Sequence, residues 1–111
     1  MPLLSVSTSI EINEKNVFLK NCSRLVSKLT NKPEKYVMVR LFDQTPMYFN
    51  MEHGPSCFID LKSIGYLNTA EMSKEITIFI SNQIGIPTNR VYICFEDIKA
   101  SNWSWKGKTF G

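Results

Sequence analysis

The sequence predicts an α+β fold: a duplicated β-α-β unit whose four strands form one mixed sheet, with two helices on one face. Two observations carry that prediction. A repeat at an offset of 54 residues relates the two halves of the chain, and the apolar residues switch along it between a period of two and a helical spacing. The 111 residues suit a single domain over 1–111, with the repeat falling on 1–50 and 55–104.

The elements follow in order. "LLSVSTSI" reads as the first strand, and Phe18, Cys22, Leu25, Val26 and Leu29 then recur on one helical face, with Asn13 as a candidate cap. "PEKYVMVRLFD" (Pro33 to Asp43) leaves a proline-marked turn and alternates at period two, as a half-buried strand does. The loop "NMEHGPS" (Asn50 to Ser56) separates the units. "CFIDLKSIG" repeats the first strand, and its Ser63-Ile64 matches Ser9-Ile10. Asn68 with Glu71 resembles a capping box. Met72, Ile76, Phe79 and Ile80 repeat the first helical stripe, and Gly85 ends that helix. "PTNRVYICFED" (Pro87 to Asp97) repeats the second strand: Pro33, Val37, Val39, Leu41 and Asp43 match Pro87, Val91, Ile93, Phe95 and Asp97.

Right-handed crossovers make the two strands of each unit parallel. Both helices then cover one face of the sheet. The other face is expected to carry Val6, Val39, Leu41, Ile93 and Phe95, or their alternates. A bare apolar face of that size needs a partner, so an oligomer is expected.

Composition narrows the function classes. With 43% hydrophobic and 21% charged residues the chain is an ordinary globular sequence, and a net charge of +3 is too small to argue for a polyanion. The first ten residues lack a basic leader and a sustained apolar core, so they make a poor signal peptide, and no apolar run reaches the roughly 20 residues of a membrane span. Cys22, Cys57 and Cys94 are odd in number, with no C-x-x-C, which argues against a disulfide scaffold or zinc site and for a reducing compartment. His53, in a Gly-Pro loop, reads as a surface residue. No metal, nucleotide or phosphate site is expected, and no cofactor.

A β-α-β-β-α-β order also fits the ferredoxin-like plan of RNA-recognition modules. Their signature needs a basic residue, a glycine and alternating aromatics, and neither "YVMVRLFD" nor "CFIDLKSIG" supplies it. "WSWKGKTF" interleaves Trp103 and Trp105 with lysines, but reads more simply as a partly packed tail. Neither a nucleic acid nor a membrane is expected as a partner.

A second set of features runs the length of the chain: Pro2 at the start of the first strand, "TNKPEKYV" around Lys32, "SIG" at Ser63 to Gly65, "RVYI" at Arg90 to Ile93, and a tail with Trp105 and Thr109-Phe110. In this order they resemble the macrophage migration inhibitory factor family of the tautomerase superfamily. That resemblance implies a homotrimer of the duplicated fold with its sheets lining the centre. It implies a cofactor-free keto-enol tautomerase, an isomerase acting on small aromatic enols and keto acids such as phenylpyruvate or dopachrome-like compounds. The alternative on the same scaffold is a cytokine-like binding or signalling protein with weak or no catalysis. Some members act outside the cell without a signal peptide, so cytoplasmic residence with non-classical secretion is the expectation.

The residue types suit that chemistry. A proton moved between carbon and oxygen needs a base that works near neutral pH. An ordinary α-amine, with a pKa of about 8, is mostly protonated there. An apolar pocket and a nearby cation both depress it. If Met1 is clipped, Pro2 becomes a terminal amine on a rigid ring. By the resemblance Pro2 is the base, and Lys32 lies beside it and grips a substrate carboxylate. Ser63 and Ile64 contribute to substrate binding, Ile64 with a backbone amide and an apolar wall. Tyr92 arrives from a neighbouring subunit, and Tyr36, Trp105 and Phe110 form an aromatic rim suited to an aryl group. Taken singly, Lys32 would be a solvated turn lysine and Tyr92 a packing residue.

Two positions depart from the family pattern. Cys94 stands where animal members carry an asparagine two residues after the tyrosine, which should weaken a polar contact. Trp103 replaces an aliphatic residue and should narrow the mouth. The animal C-x-x-C falls on Ser56 and Ile59, so thiol-disulfide activity is not implied.

Overall fold

The computed structural model describes residues 1–111. Strand β1 (Leu3–Thr8), helix α1 (Lys15–Thr30) and strand β2 (Met38–Phe42) form the first unit. Strand β3 (Cys57–Ser63), helix α2 (Thr69–Ile84) and strand β4 (Val91–Asp97) form the second. Both helices, and the 3-10 turns before β2 and β4 (Glu34–Tyr36 and Thr88–Arg90), recur at the 54-residue offset. The tail adds a 3-10 turn at Ala100–Asn102 and a hairpin of β5 (Ser104–Trp105) with β6 (Lys108–Thr109).

The sheet order is β2-β1-β3-β4. β1 pairs with β2, and β3 with β4, in parallel, while β1 and β3 join the units antiparallel with Leu3 opposite Lys62. The mixed sheet is therefore the one expected from two right-handed crossovers.

The core lies between the sheet and the helices. Leu4, Val6, Ile59 and Leu61 from the central strands meet Phe18, Cys22 and Val26 of α1 and Met72, Ile76 and Ile80 of α2. Cys22 and Cys57 are both buried, and burial pushes each thiol up to about 12; Cys22 also feels the charge of Cys57. Both are inert at neutral pH, and all three cysteines are free.

Two expectations change here. Of the two sets left open for the uncovered face, Val39, Leu41, Ile93 and Phe95 pack against the core with buried Val6, so the open face carries their alternates; what changes is its character. That face is mixed, not apolar. Arg40 and Glu96 are exposed there, and Lys62 lies 4.0 Å from Glu96. Met38 (62% exposed), Phe42 (50%) and Tyr92 (59%) stand among them. The strands hand their most apolar set to the helices, because that face loses all contact with water.

The second change concerns Asn13, which does not cap α1. The N-cap is Glu14, with no side-chain cap bond. Instead Asp43 accepts from the Ile12 N–H at 3.0 Å and pairs with Lys15 at 3.3 Å, while the Lys15 ammonium donates to the Ile12 carbonyl at 2.8 Å. A carboxylate from the end of β2 thus anchors the segment where α1 begins. The Ile12 amide, with Lys15 adding to it, holds that carboxyl below the usual range. For α2, the Asn68 side chain does accept from the Glu71 N–H, at 3.4 Å, and Gly85 ends the helix in the left-handed conformation.

Candidate active site

Pro2 occupies the entrance to β1. It is fully buried, and its carbonyl accepts from the Met38 N–H at 3.0 Å, locking it to the start of β2. At this end of the sheet lies a cavity of about 560 Å³, with Met1, Pro2 and Leu3 in its wall. That volume suits a small-molecule site.

The tail builds the opposite wall. The Ile98 N–H donates to the Ser63 carbonyl at 2.7 Å, which turns the chain back over the cavity after β4. Phe110 N–H then donates to the Ala100 and Trp103 carbonyls. Between them the β5–β6 hairpin closes through Lys106 and Gly107, both at positive φ. Two consecutive left-handed residues make the tight turn that matches strand twist, and glycine takes such a conformation without strain. This hairpin presents Trp105, whose ring meets Tyr36 edge-on at 5.7 Å.

Of the expected site residues, Pro2, Tyr36, Trp103, Trp105 and Phe110 line this cavity together. Lys32 does not line it, but its charge reaches the chain terminus: the Met1 amine is held below its ordinary pKa, first by partial burial and then by Lys32. Lys32 follows Asn31, the left-handed residue that ends α1, and its carbonyl accepts from the Ser27 hydroxyl at 2.6 Å.

Ser63 and Ile64 are not in the cavity wall. Ser63 is buried, and its hydroxyl has no hydrogen-bond partner. Gly65, at φ 104°, donates its N–H to Asp97 at 2.8 Å, which pins the Ser-Ile-Gly turn to the end of β4. Tyr92 and Cys94 sit exposed on the open face of β4 and do not line the cavity of their own chain. Tyr92 leans on Phe49, with ring centroids 4.6 Å apart.

Among the wall residues the sequence reading missed are Lys35, Lys62, Ile98 and Asn102. Lys62 was legible: it precedes Ser63, so strand alternation puts it on the other face of β3. It also missed the role of Arg90. This buried side chain donates to the carbonyls of Phe49, Gly54 and Pro55 and to the Ser56 hydroxyl, and pairs with Glu52 at 3.4 Å. It clamps the loop that carries Phe49. No group of three or more His, Cys, Asp or Glu side chains could hold a metal, and no helix is long and apolar enough to cross a membrane.

The whole chain, residues 1–111, matches the model of the macrophage migration inhibitory factor family. Among curated relatives, a macrophage migration inhibitory factor homolog of Brugia malayi is 34% identical, with both chains covered in full. The macrophage migration inhibitory factor of Xenopus tropicalis is 31% identical over 99% of each chain. Among solved structures, a homologue from Prochlorococcus marinus superimposes with a TM-score of 0.94 at 39% identity, covering 98% of this chain and 99% of its own. The structure from Trichinella spiralis gives a TM-score of 0.90 at 29% identity, covering 97% and 99%. Fold, length and sequence agree along the entire chain, which therefore belongs to the macrophage migration inhibitory factor family.

Proposed function

We propose that this protein is a cofactor-free keto-enol tautomerase that uses the amine of Pro2, exposed by removal of Met1, as its acid-base group. The observation that carries the reading is the placement of Pro2, buried in the wall of a cavity shared with Tyr36, Trp103, Trp105 and Phe110, where the neighbouring Met1 amine is depressed first by burial and then by Lys32. The substrate class is a small aromatic enol or keto acid of the phenylpyruvate or dopachrome type.

In the enol-to-keto direction the neutral amine takes the enol hydroxyl proton and delivers a proton to the adjacent carbon. The C=C bond becomes single as the C–O bond becomes double, and nothing is oxidised or reduced. Lys32 grips the carboxylate and favours negative charge on the oxygen. The aromatic wall takes the aryl ring. Ser63 and Ile64, outside this chain's cavity wall, keep a substrate-binding role here only through the Ile64 backbone amide that the family resemblance implies.

The working unit in this reading is a homotrimer. The exposed Met38, Phe42 and Tyr92 of the open sheet face and the half-exposed Trp105 support association. Tyr92 and Cys94, absent from their own chain's cavity, then serve a neighbour's. The protein acts in the cytoplasm, with non-classical secretion as a second location.

The alternative is a binding or signalling protein on the same scaffold with weak or no catalysis. While Met1 remains, the Pro2 nitrogen is a tertiary amide with no useful basicity, and such a chain would serve only as a binding or signalling protein. Enol turnover by chains of defined N-terminus separates the two.

A further inference from the structure

We propose that the cavity carries a second anion subsite, formed by Lys35 and Lys62, so that the preferred ligand is an aryl keto acid or enol bearing a further anionic group on its ring. The inference rests on the tautomerase reading for the ligand's keto-acid end, and on the cavity wall for the rest. Both lysines line the cavity, and no Asp or Glu does. Lys62 stands opposite Leu3 in the β1–β3 pairing, one residue along from Pro2. Its one carboxylate neighbour within its own chain, Glu96, is 4.0 Å away, at the outer limit of an ion pair, a contact weak enough for a ligand's anionic group to replace. Lys35 comes from the 3-10 turn before β2, with its ammonium 5.1 Å from the Tyr36 ring centre. Lys106, 4.4 Å from the ring of Trp105, adds positive charge at the aromatic rim.

In the tautomerase reading Lys32 takes the carboxylate beside Pro2. A ligand with that group alone would leave Lys35 and Lys62 in the cavity wall with only the weak Glu96 contact to Lys62 between them. Cations lining a cleft raise the local concentration of anions, and an aryl ring held by the aromatic wall would carry a negatively charged substituent within the same cavity that Lys35 and Lys62 line. Each exposed charge pair contributes about two- to fivefold in affinity, so the two together amount to about tenfold.

The test uses full-length protein with Met1 removed and two inert planar probes, cinnamate and 4-carboxycinnamate, titrated by calorimetry at low ionic strength. The dianion is expected to bind about tenfold more tightly. That preference should vanish in the Lys35→Gln/Lys62→Gln double variant and shrink as salt is added. Equal binding of the two probes, or a preference that survives the double substitution, overturns the subsite. Phenylpyruvate turnover by the same preparation is read separately. An intact preference without turnover sinks the tautomerase reading alone, and turnover without a preference sinks the subsite alone.

Discussion

Replacing Arg90 by methionine removes the head of the clamp while keeping most of its stem. Three carbonyls and one hydroxyl lose their donor: Pro55 at 2.6 Å, Gly54 at 3.1 Å, Phe49 at 3.3 Å and the Ser56 hydroxyl at 2.7 Å. The Glu52 pair adds little, because that carboxylate is 64% exposed. A buried acceptor left without a partner costs about 1–3 kcal/mol. Gly54 and Pro55 lie near the surface, where water can replace part of the loss, so Arg90→Met should cost about 2–4 kcal/mol in all. Arg90→Lys should recover part of it, since a single ammonium cannot reproduce the planar fork. Glu52→Gln should cost less than about 1 kcal/mol. The assay is urea unfolding at one fixed protomer concentration, because the midpoint of an oligomer shifts with concentration. A loss under about 1 kcal/mol for Arg90→Met, or one matched by Glu52→Gln, would refute the clamp as a load on the carbonyls.

Three other outcomes follow from the account. Light scattering at micromolar concentration should give three times the 12.8 kDa chain mass; a monomer would remove the between-subunit role of Tyr92. Lys32→Ala should slow keto acids about tenfold more than their esters, as expected when a charge-assisted hydrogen bond to the substrate is lost, and equal losses would make Lys32 structural or confine its action to the amine. Cys94→Asn should raise turnover of an aromatic enol two- to fivefold, about the worth of one added hydrogen bond; no change, or a fall, would show that Cys94 costs nothing.

Much of the fold was legible because the repeat writes each element twice. The apolar stripe that places Cys22 in α1 returns as Ile76 in α2, and Pro33 and Pro87 mark the same turn. Which sheet face the helices cover could not be settled from alternation alone, since Met38, Phe42 and Tyr92 make the second face look apolar in one dimension. Asn13 misled because any Asn before a helical stripe resembles a cap, whereas the anchor used is Asp43, 31 positions away from Ile12. The tail hairpin had a local signal in Lys106-Gly107 between alternating residues, but the strands it joins are only two residues each. In the site, Pro2, Tyr36, Trp103, Trp105 and Phe110 could be named from resemblance and meet at one cavity. Arg90 was legible only as part of "RVYI", without its clamping role, because its partners are mostly backbone carbonyls, which carry no sequence signature.

The central claim is that the Pro2 amine does the chemistry, and it is tested most directly by one comparison. Two preparations of the same chain, one with Met1 and one without, are verified by intact mass and assayed for phenylpyruvate tautomerisation across pH. The Met1-free form should turn over and the Met1-retaining form should be nearly inactive, with both folding alike. Burial and then Lys32 depress the Met1 amine; a Pro2 amine, one residue along beside the same cavity, is expected to feel the same two influences, and only the neutral amine is a base. Turnover should therefore persist somewhat below an ordinary amine's pKa of about 8 and then be lost as pH falls through the depressed value. Full turnover from a preparation that keeps Met1 on every chain would contradict the mechanism and leave Pro2 as the first residue of a strand.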